Sequence, residues 1–167
     1  MELKQTLKKL KESKEFTDWN KKNPNNFFSY AFKMLENNKE GSWQLGFYHK
    51  AADRVTTFVA NPNSIEMQEE EEIFKKPDME VVPVDIKKIK VPFEKILKKA
   101  ELFQKKKYPA ELVSKTIAIL QNLKEYGNIW NITYVTLSFK TLNMKINAEN
   151  GKILHHSLES LMNIVKK

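Results

Sequence analysis

The sequence predicts an α+β fold built from two similar units, each of two helices followed by a three-stranded antiparallel meander. Helices pack on one face of the sheet or sheets, and a further helix ends the chain. Three observations predict it. Apolar residues recur at helical spacing in stretches that follow prolines or the chain start; they alternate with period two in others; and the helical and alternating stretches come in the same order in both halves.

Taking the elements in order, Leu3, Leu7 and Leu10 share one helical face, with Phe16 and Trp19 further along. The pair Asn23-Pro24 breaks this helix, and Pro24 is suited to open a second, whose stripe is Phe27, Phe28, Ala31, Phe32 and Leu35. "ENNKEGS" ends it. In "SWQLGFY", Trp43, Leu45 and Phe47 alternate as in a half-buried strand. "RVTTFVA" is a second strand closed by the turn "NPN", and "SIEMQ" a third that runs into Glu69 to Glu72. A Pro-rich stretch over 75–92 reads as a connector, with 81–91 separating a unit at 1–80 from one at 92–167. The two units either stand as two lobes with a groove between them or join edge to edge in one sheet.

In the second half Pro92 opens a helix with the stripe Phe93, Ile96, Leu97, Ala100 and Phe103. Pro109 opens another, with Leu112, Val113, Thr116, Ile117, Leu120 and Leu123 inward and Gly127 as its terminating glycine. "NIWNITYVTLSF" and "TLNMKINA" are strands rich in β-branched and aromatic residues. "ENG" turns the chain, and "KIL" is a short strand. Ser157 then caps a final helix with the stripe Leu158, Leu161, Met162 and Val165.

The halves align in order. "PNNFFSYAFKML" (24–35) matches "PAELVSKTIAIL" (109–120), "WQLGFY" (43–48) matches "WNITYV" (130–135), and "TTFVANPNSI" (56–65) matches "MKINAENGKI" (144–153). An internal duplication explains this order; so does the tendency of any two amphipathic stretches to align apolar on apolar.

At 167 residues the chain is long enough for a substantial core without disulfides, and it has no cysteine. No apolar window is long enough to cross a membrane and no secretory-type start is seen, so a cytoplasmic protein is expected, or an extracytoplasmic one if the chain is trimmed from a longer precursor. The net charge of +8 suits an acidic partner. Arg54 is the sole arginine, however, and arginine is the usual residue for bidentate base reading, so sequence-specific DNA recognition is disfavoured.

Catalytic patterns are absent. The three histidines, His49, His155 and His156, have no metal-ligand spacing, and neighbours on a strand face opposite ways, so His155 and His156 are not expected to share a metal. Ser157 beside His156 lacks the third member of a triad. The chain has only 4 glycines and no phosphate-cradling loop. No cofactor and no metal are expected. Tyr48 lies on the opposite parity to Trp43, Leu45 and Phe47 and is expected to be exposed. With His49 and Arg54 at the adjacent connection, and Val135 and Leu137 on the corresponding face of the second half, it marks the expected binding surface. Lys95, Lys98, Lys99, Lys105, Lys106 and Lys107 fall on the polar side of the helix from Pro92, either as a solvated face or as a basic patch.

"NMKINAENGKILHH", in which a strand ends in a small residue, an acid and a Gly turn and returns as a short apolar strand, resembles the end of PepSY domains. The preceding helix and "IWNITYVTLSF" extend the resemblance over about residues 93–156, and more faintly over 10–70. Asn147 stands where that family often has aspartate. The resemblance implies a binding or inhibitory module without catalytic residues. A non-catalytic protein- or peptide-binding function is therefore expected, through an uncovered sheet face or the groove between units. The alternatives are a basic protein that binds RNA or single-stranded DNA with little sequence preference, and a ligand-binding or enzymatic cavity between sheet and helices.

Overall fold

The computed structural model describes residues 1–72 and 79–165. Its centre is one ten-stranded antiparallel sheet with the main order β10-β9-β8-β7-β1-β3-β4-β5. The helices that precede it are α1 (Leu3–Glu12) and α2 (Lys14–Lys22). The first half then supplies β1 (Phe27–Glu36), β2 (Lys39–Glu40), β3 (Trp43–His49), β4 (Arg54–Ala60), β5 (Ile65–Met67) and β6 (Glu71–Glu72). The second half supplies α3 (Phe93–Lys107), β7 (Val113–Leu123), β8 (Gly127–Thr136), β9 (Lys140–Asn147), β10 (Ile153–Ser160) and the short α4 (Leu161–Val165). The halves meet where β1 pairs with β7, from Tyr30 opposite Gln121 to Glu36 opposite Lys115.

This overturns the predicted helix–helix–meander units: the protein is mainly β. The segments after Pro24 and Pro109 are the two central strands, β1 and β7, instead of helices. A central strand is apolar on both faces and loses the clean alternation of an edge strand. Bulges between Phe28 and Tyr30 and between Val113 and Lys115 blur the period further. The final helix is also shortened. Ser157 lies in β10 opposite Asn143, so it is no helix cap, and the expected short strand extends to Ser160. Gly127 starts β8 at φ 74°, where a hairpin turn needs a left-handed residue, and ends no helix. "ENNKEGS" holds a tight hairpin in which Asn37 and Asn38 both take positive φ, the backbone of a type I′ turn.

The first predicted helix is divided. Ser13 ends α1 and caps α2, its Oγ accepting from the Phe16 N–H at 3.2 Å. Of the predicted connector, residues 75–78 lie outside the described residues. Its remainder follows the end of the sheet: Val82 bridges to Asn122, the Val84 N–H donates to the Phe28 carbonyl at 2.9 Å, and residues 86–88 form a 3₁₀ turn.

All three longer helices lie on one face. Leu3, Leu7, Leu10, Phe16 and Trp19 from α1 and α2, and Phe93, Ile96 and Ala100 from α3, share one core with inward sheet residues. Those are Ala31, Trp43, Leu45, Phe47 and Phe58 in the first half, and Leu120, Trp130, Ile132, Tyr134, Leu142, Met144 and Ile146 in the second. Where the two halves abut, Trp43, Phe93 and Trp130 cluster with their rings tilted against one another, Phe93 and Trp130 centroids 4.8 Å apart and Trp43 and Trp130 6.0 Å apart. Burial holds the Tyr134 phenol above its ordinary range. One charge enters this layer. Lys33, 5% exposed, bonds Glu40 at 2.7 Å and lies 4.7 Å over the Trp43 ring.

Candidate functional site

The face of the sheet away from the helices carries the side chains of the other parity. On its central strands Phe32 pairs with Ile119 and Met34 with Ile117, a block of four half-buried apolar residues. Val135 lies one strand further out, beside Lys115. A polar ladder borders the block, where Asn143 donates to Asn131 and, at 2.9 Å, to the Thr133 hydroxyl. On the other side the Tyr30 ring lies across Gly46 so that its hydroxyl reaches Thr57 Oγ1 at 2.7 Å. Burial keeps that phenol above its ordinary value.

The expected binding residues do not converge. Tyr48 is buried, 4% exposed, with its ring 5.4 Å from Phe27 and its hydroxyl donating to Asp53. The parity argument fails because Tyr48, Val55 and Ile129 are all buried at this end of the outer face. His49 and Arg54 pair across the β3–β4 hairpin, and Arg54 reaches Glu72 at 3.6 Å on β6. Val135 is half-buried on the face as expected. Leu137 is not on the sheet: β8 stops at Thr136, and Leu137 stands 63% exposed in the following turn.

The lysines of α3 are exposed and interleaved with acids. Lys98 and Lys105 both bind Glu101, at 3.4 and 2.6 Å, and these bonds hold its carboxyl below the ordinary range. Lys95 and Lys99 share their outward side, with Leu102 exposed among them, while Lys106 and Lys107 close the helix. His155 pairs with Lys145 and His156 with Met144, so they face opposite ways. His156 Nδ1 bonds the Tyr108 hydroxyl at 2.7 Å, beside the Phe103 ring. Among the described residues no three acids or histidines are gathered as metal ligands. A cleft of about 380 Å³ opens at the rim between α1 and the β1–β2 hairpin, lined by Thr6, Lys9, Lys33, Glu40, Ser42 and Asn61. His49 is not part of it.

Sequence reasoning missed a polar knot under the β8–β9 turn. Glu111 is buried, and its carboxylate accepts from Ser138 Oγ at 2.5 Å and Lys140 Nζ at 2.9 Å. Gln104 Nε2 donates to the carbonyls of Tyr108 and Glu111, tying the end of α3 to the same place. The Ser138 and Lys140 bonds pull the Glu111 carboxyl below its ordinary value of 4.5. A depressed folded-state pKa contributes stability above the unfolded value and loses it as pH falls through the folded one. The thermal midpoint is therefore expected to fall as pH drops from about 5 to about 3. The fall should be shallower in Glu111→Gln, read by circular dichroism melts in a pH series. Equal slopes would show that Glu101 and Glu149, also depressed by lysine partners, carry the effect.

No helix among the described residues is long and apolar enough to cross a membrane. No family model matches the chain, and no curated protein matches it. A solved structure does. A Clostridium difficile 630 protein described as a "putative lipoprotein" superposes with a TM-score of 0.56 over 87% of this chain and 90% of its own, at 13% identity. At that identity the likeness is one of fold.

Proposed function

We propose that this protein is a non-catalytic binding module that docks a protein or peptide on the outer face of its sheet. One observation carries the reading: Phe32, Met34, Ile117 and Ile119 form a contiguous apolar block on the two central strands, half-exposed and bordered by the Asn131–Thr133–Asn143 ladder. Apolar surface with a hydrogen-bonding rim is the composition of a docking site. The alternative groove between units is filled on the helix side by Trp43, Phe93 and Trp130. The PepSY resemblance belongs to the same proposal, as does a duplication. In support, the aligned Trp43 and Trp130, Leu45 and Ile132, and Phe58 and Ile146 occupy corresponding strands on the same face. The neighbour's description as a lipoprotein favours an extracytoplasmic setting over the cytoplasmic one expected from the sequence.

The test is a photo-crosslinking residue at position 119, with position 124 on an exposed turn as control, in source cells with and without nuclease. A discrete protein adduct at 119 alone supports the proposal. Nuclease-sensitive adducts would favour the nucleic-acid reading, and equal labelling at both positions would sink the face as a site.

A further inference from the structure

One end of the second meander is apolar where turns are normally polar. Leu112, Val113, Leu137, Phe139 and Met162 are 65%, 38%, 63%, 72% and 65% exposed. They come from separate parts of the sequence, yet backbone bonds join them into one row. The Leu137 N–H donates to the Leu112 carbonyl at 2.9 Å and the Leu161 N–H to the Phe139 carbonyl at 2.9 Å. The row crosses the ends of β7 to β10, three strand spacings or about 14 Å.

The turn that leads it is held rigidly. Phe139 sits at φ 57°, a left-handed position where glycine or asparagine is usual and a bulky residue is strained. Beneath it Glu111, Ser138, Thr136 and Lys140 bond one another, with Thr136 Oγ1 and Ser138 Oγ 3.0 Å apart. The turn's polar side chains thus bond inward, and Leu137 and Phe139 project outward. Cations lie close by. The last turn of α3, tied to residue 111 through Gln104, carries Lys106 and Lys107, which make no ion pair among the described residues.

We propose that this end of the molecule, distinct from the sheet face above, is an anchor for an anionic bilayer surface. Leu137 and Phe139 enter the headgroup–acyl boundary while Lys106 and Lys107 meet the headgroups. The chemistry favours lipid over a protein pocket. A row of projecting apolar tips presents few polar side chains to pair, needs no matching concavity, and gains from adjacent cations on a chain of net charge +8.

The experiment is co-sedimentation of the full chain with phosphatidylcholine vesicles, with and without phosphatidylglycerol, at physiological ionic strength. Binding is expected only with phosphatidylglycerol. Phe139→Asn should weaken it about tenfold or more without lowering the thermal midpoint, because asparagine accepts the left-handed backbone. A Lys106→Glu/Lys107→Glu pair should weaken it similarly. Because the chain has no cysteine, a single Leu112→Cys nitroxide label, which keeps Leu137 and Phe139 in place, reports immersion of the row. Failure to bind, binding indifferent to Phe139→Asn, or a label that stays in water would overturn the proposal.

Discussion

Trp130→Ala should lower the unfolding free energy by about 3–5 kcal/mol, enough to take a large share of a typical domain's stability. The ring is 1% exposed and packs against both Phe93 and Trp43, at the junction of the two halves. Its loss opens a void that the helix layer cannot close, since α1 is held by buried Leu3, Leu7 and Leu10 and α3 by buried Ile96 and Ala100. The same residue offers a sharper contrast. Trp130 Nε1 is buried without a hydrogen-bond partner among the described residues, whereas Trp43 Nε1 donates to the Met1 carbonyl at 3.1 Å. Trp130→Phe removes an unsatisfied donor along with some area, so it should cost well under half of the alanine change. Urea melts of the two variants read this as a difference in midpoint. Comparable losses for Phe and Ala would show that the indole's size, not the junction void, is decisive.

Gly46→Ala is the second large effect. A Cβ at Gly46 would lie 2.0 Å from Cε1 of Tyr30, so the ring must leave its place over the glycine and give up the Thr57 hydroxyl. Overpacking of this kind costs about 1–3 kcal/mol. The cost should shrink sharply in a Tyr30→Ala background, because the clash is with the ring and not with backbone. A double-mutant cycle on denaturation free energies measures this coupling, and additive costs would count against it. Tyr30 covering a glycine and bonding two strands away is how an aromatic side chain makes good the missing packing of a strand glycine.

Alternation was readable wherever a strand has one buried face and no bulge. Trp43, Leu45 and Phe47 in β3, and Trp130, Ile132 and Tyr134 in β8, stand where their parity puts them. The central strands were not readable in that way. Phe27, Phe28, Ala31, Phe32 and Leu35 satisfy a helical template because β1 is apolar on both sides and bulged near Ser29. The prolines at 24 and 109 reinforced the helical reading, although a proline suits the residues just before a strand equally well. At the C-terminus Leu158, Leu161 and Met162 keep helical spacing, and only pairing with β9 makes the first of them a strand residue. Of the candidate surface, Val135 was visible from parity. Tyr48 was misjudged, since parity gives the side of a sheet and not what covers it. The Glu111 knot had no local signal, because it depends on Glu111 meeting a turn 27 residues further on.

The junction of β1 with β7 also shapes how the chain reaches its fold. The partner of Tyr30 is Gln121, so the central contact closes over some ninety residues, the costliest kind of loop to close early. At about 5–20 residues per second, a ribosome would leave that edge of β1 without its partner for several seconds after the first meander has emerged. During that interval Tyr30, Phe32 and Met34 flank an open backbone edge. A second nascent chain offering its own β7 would complete the sheet as well as the chain's own second half would, giving an exchanged dimer. Expression at high local concentration should therefore raise the yield of interlocked dimers, which separate only on unfolding.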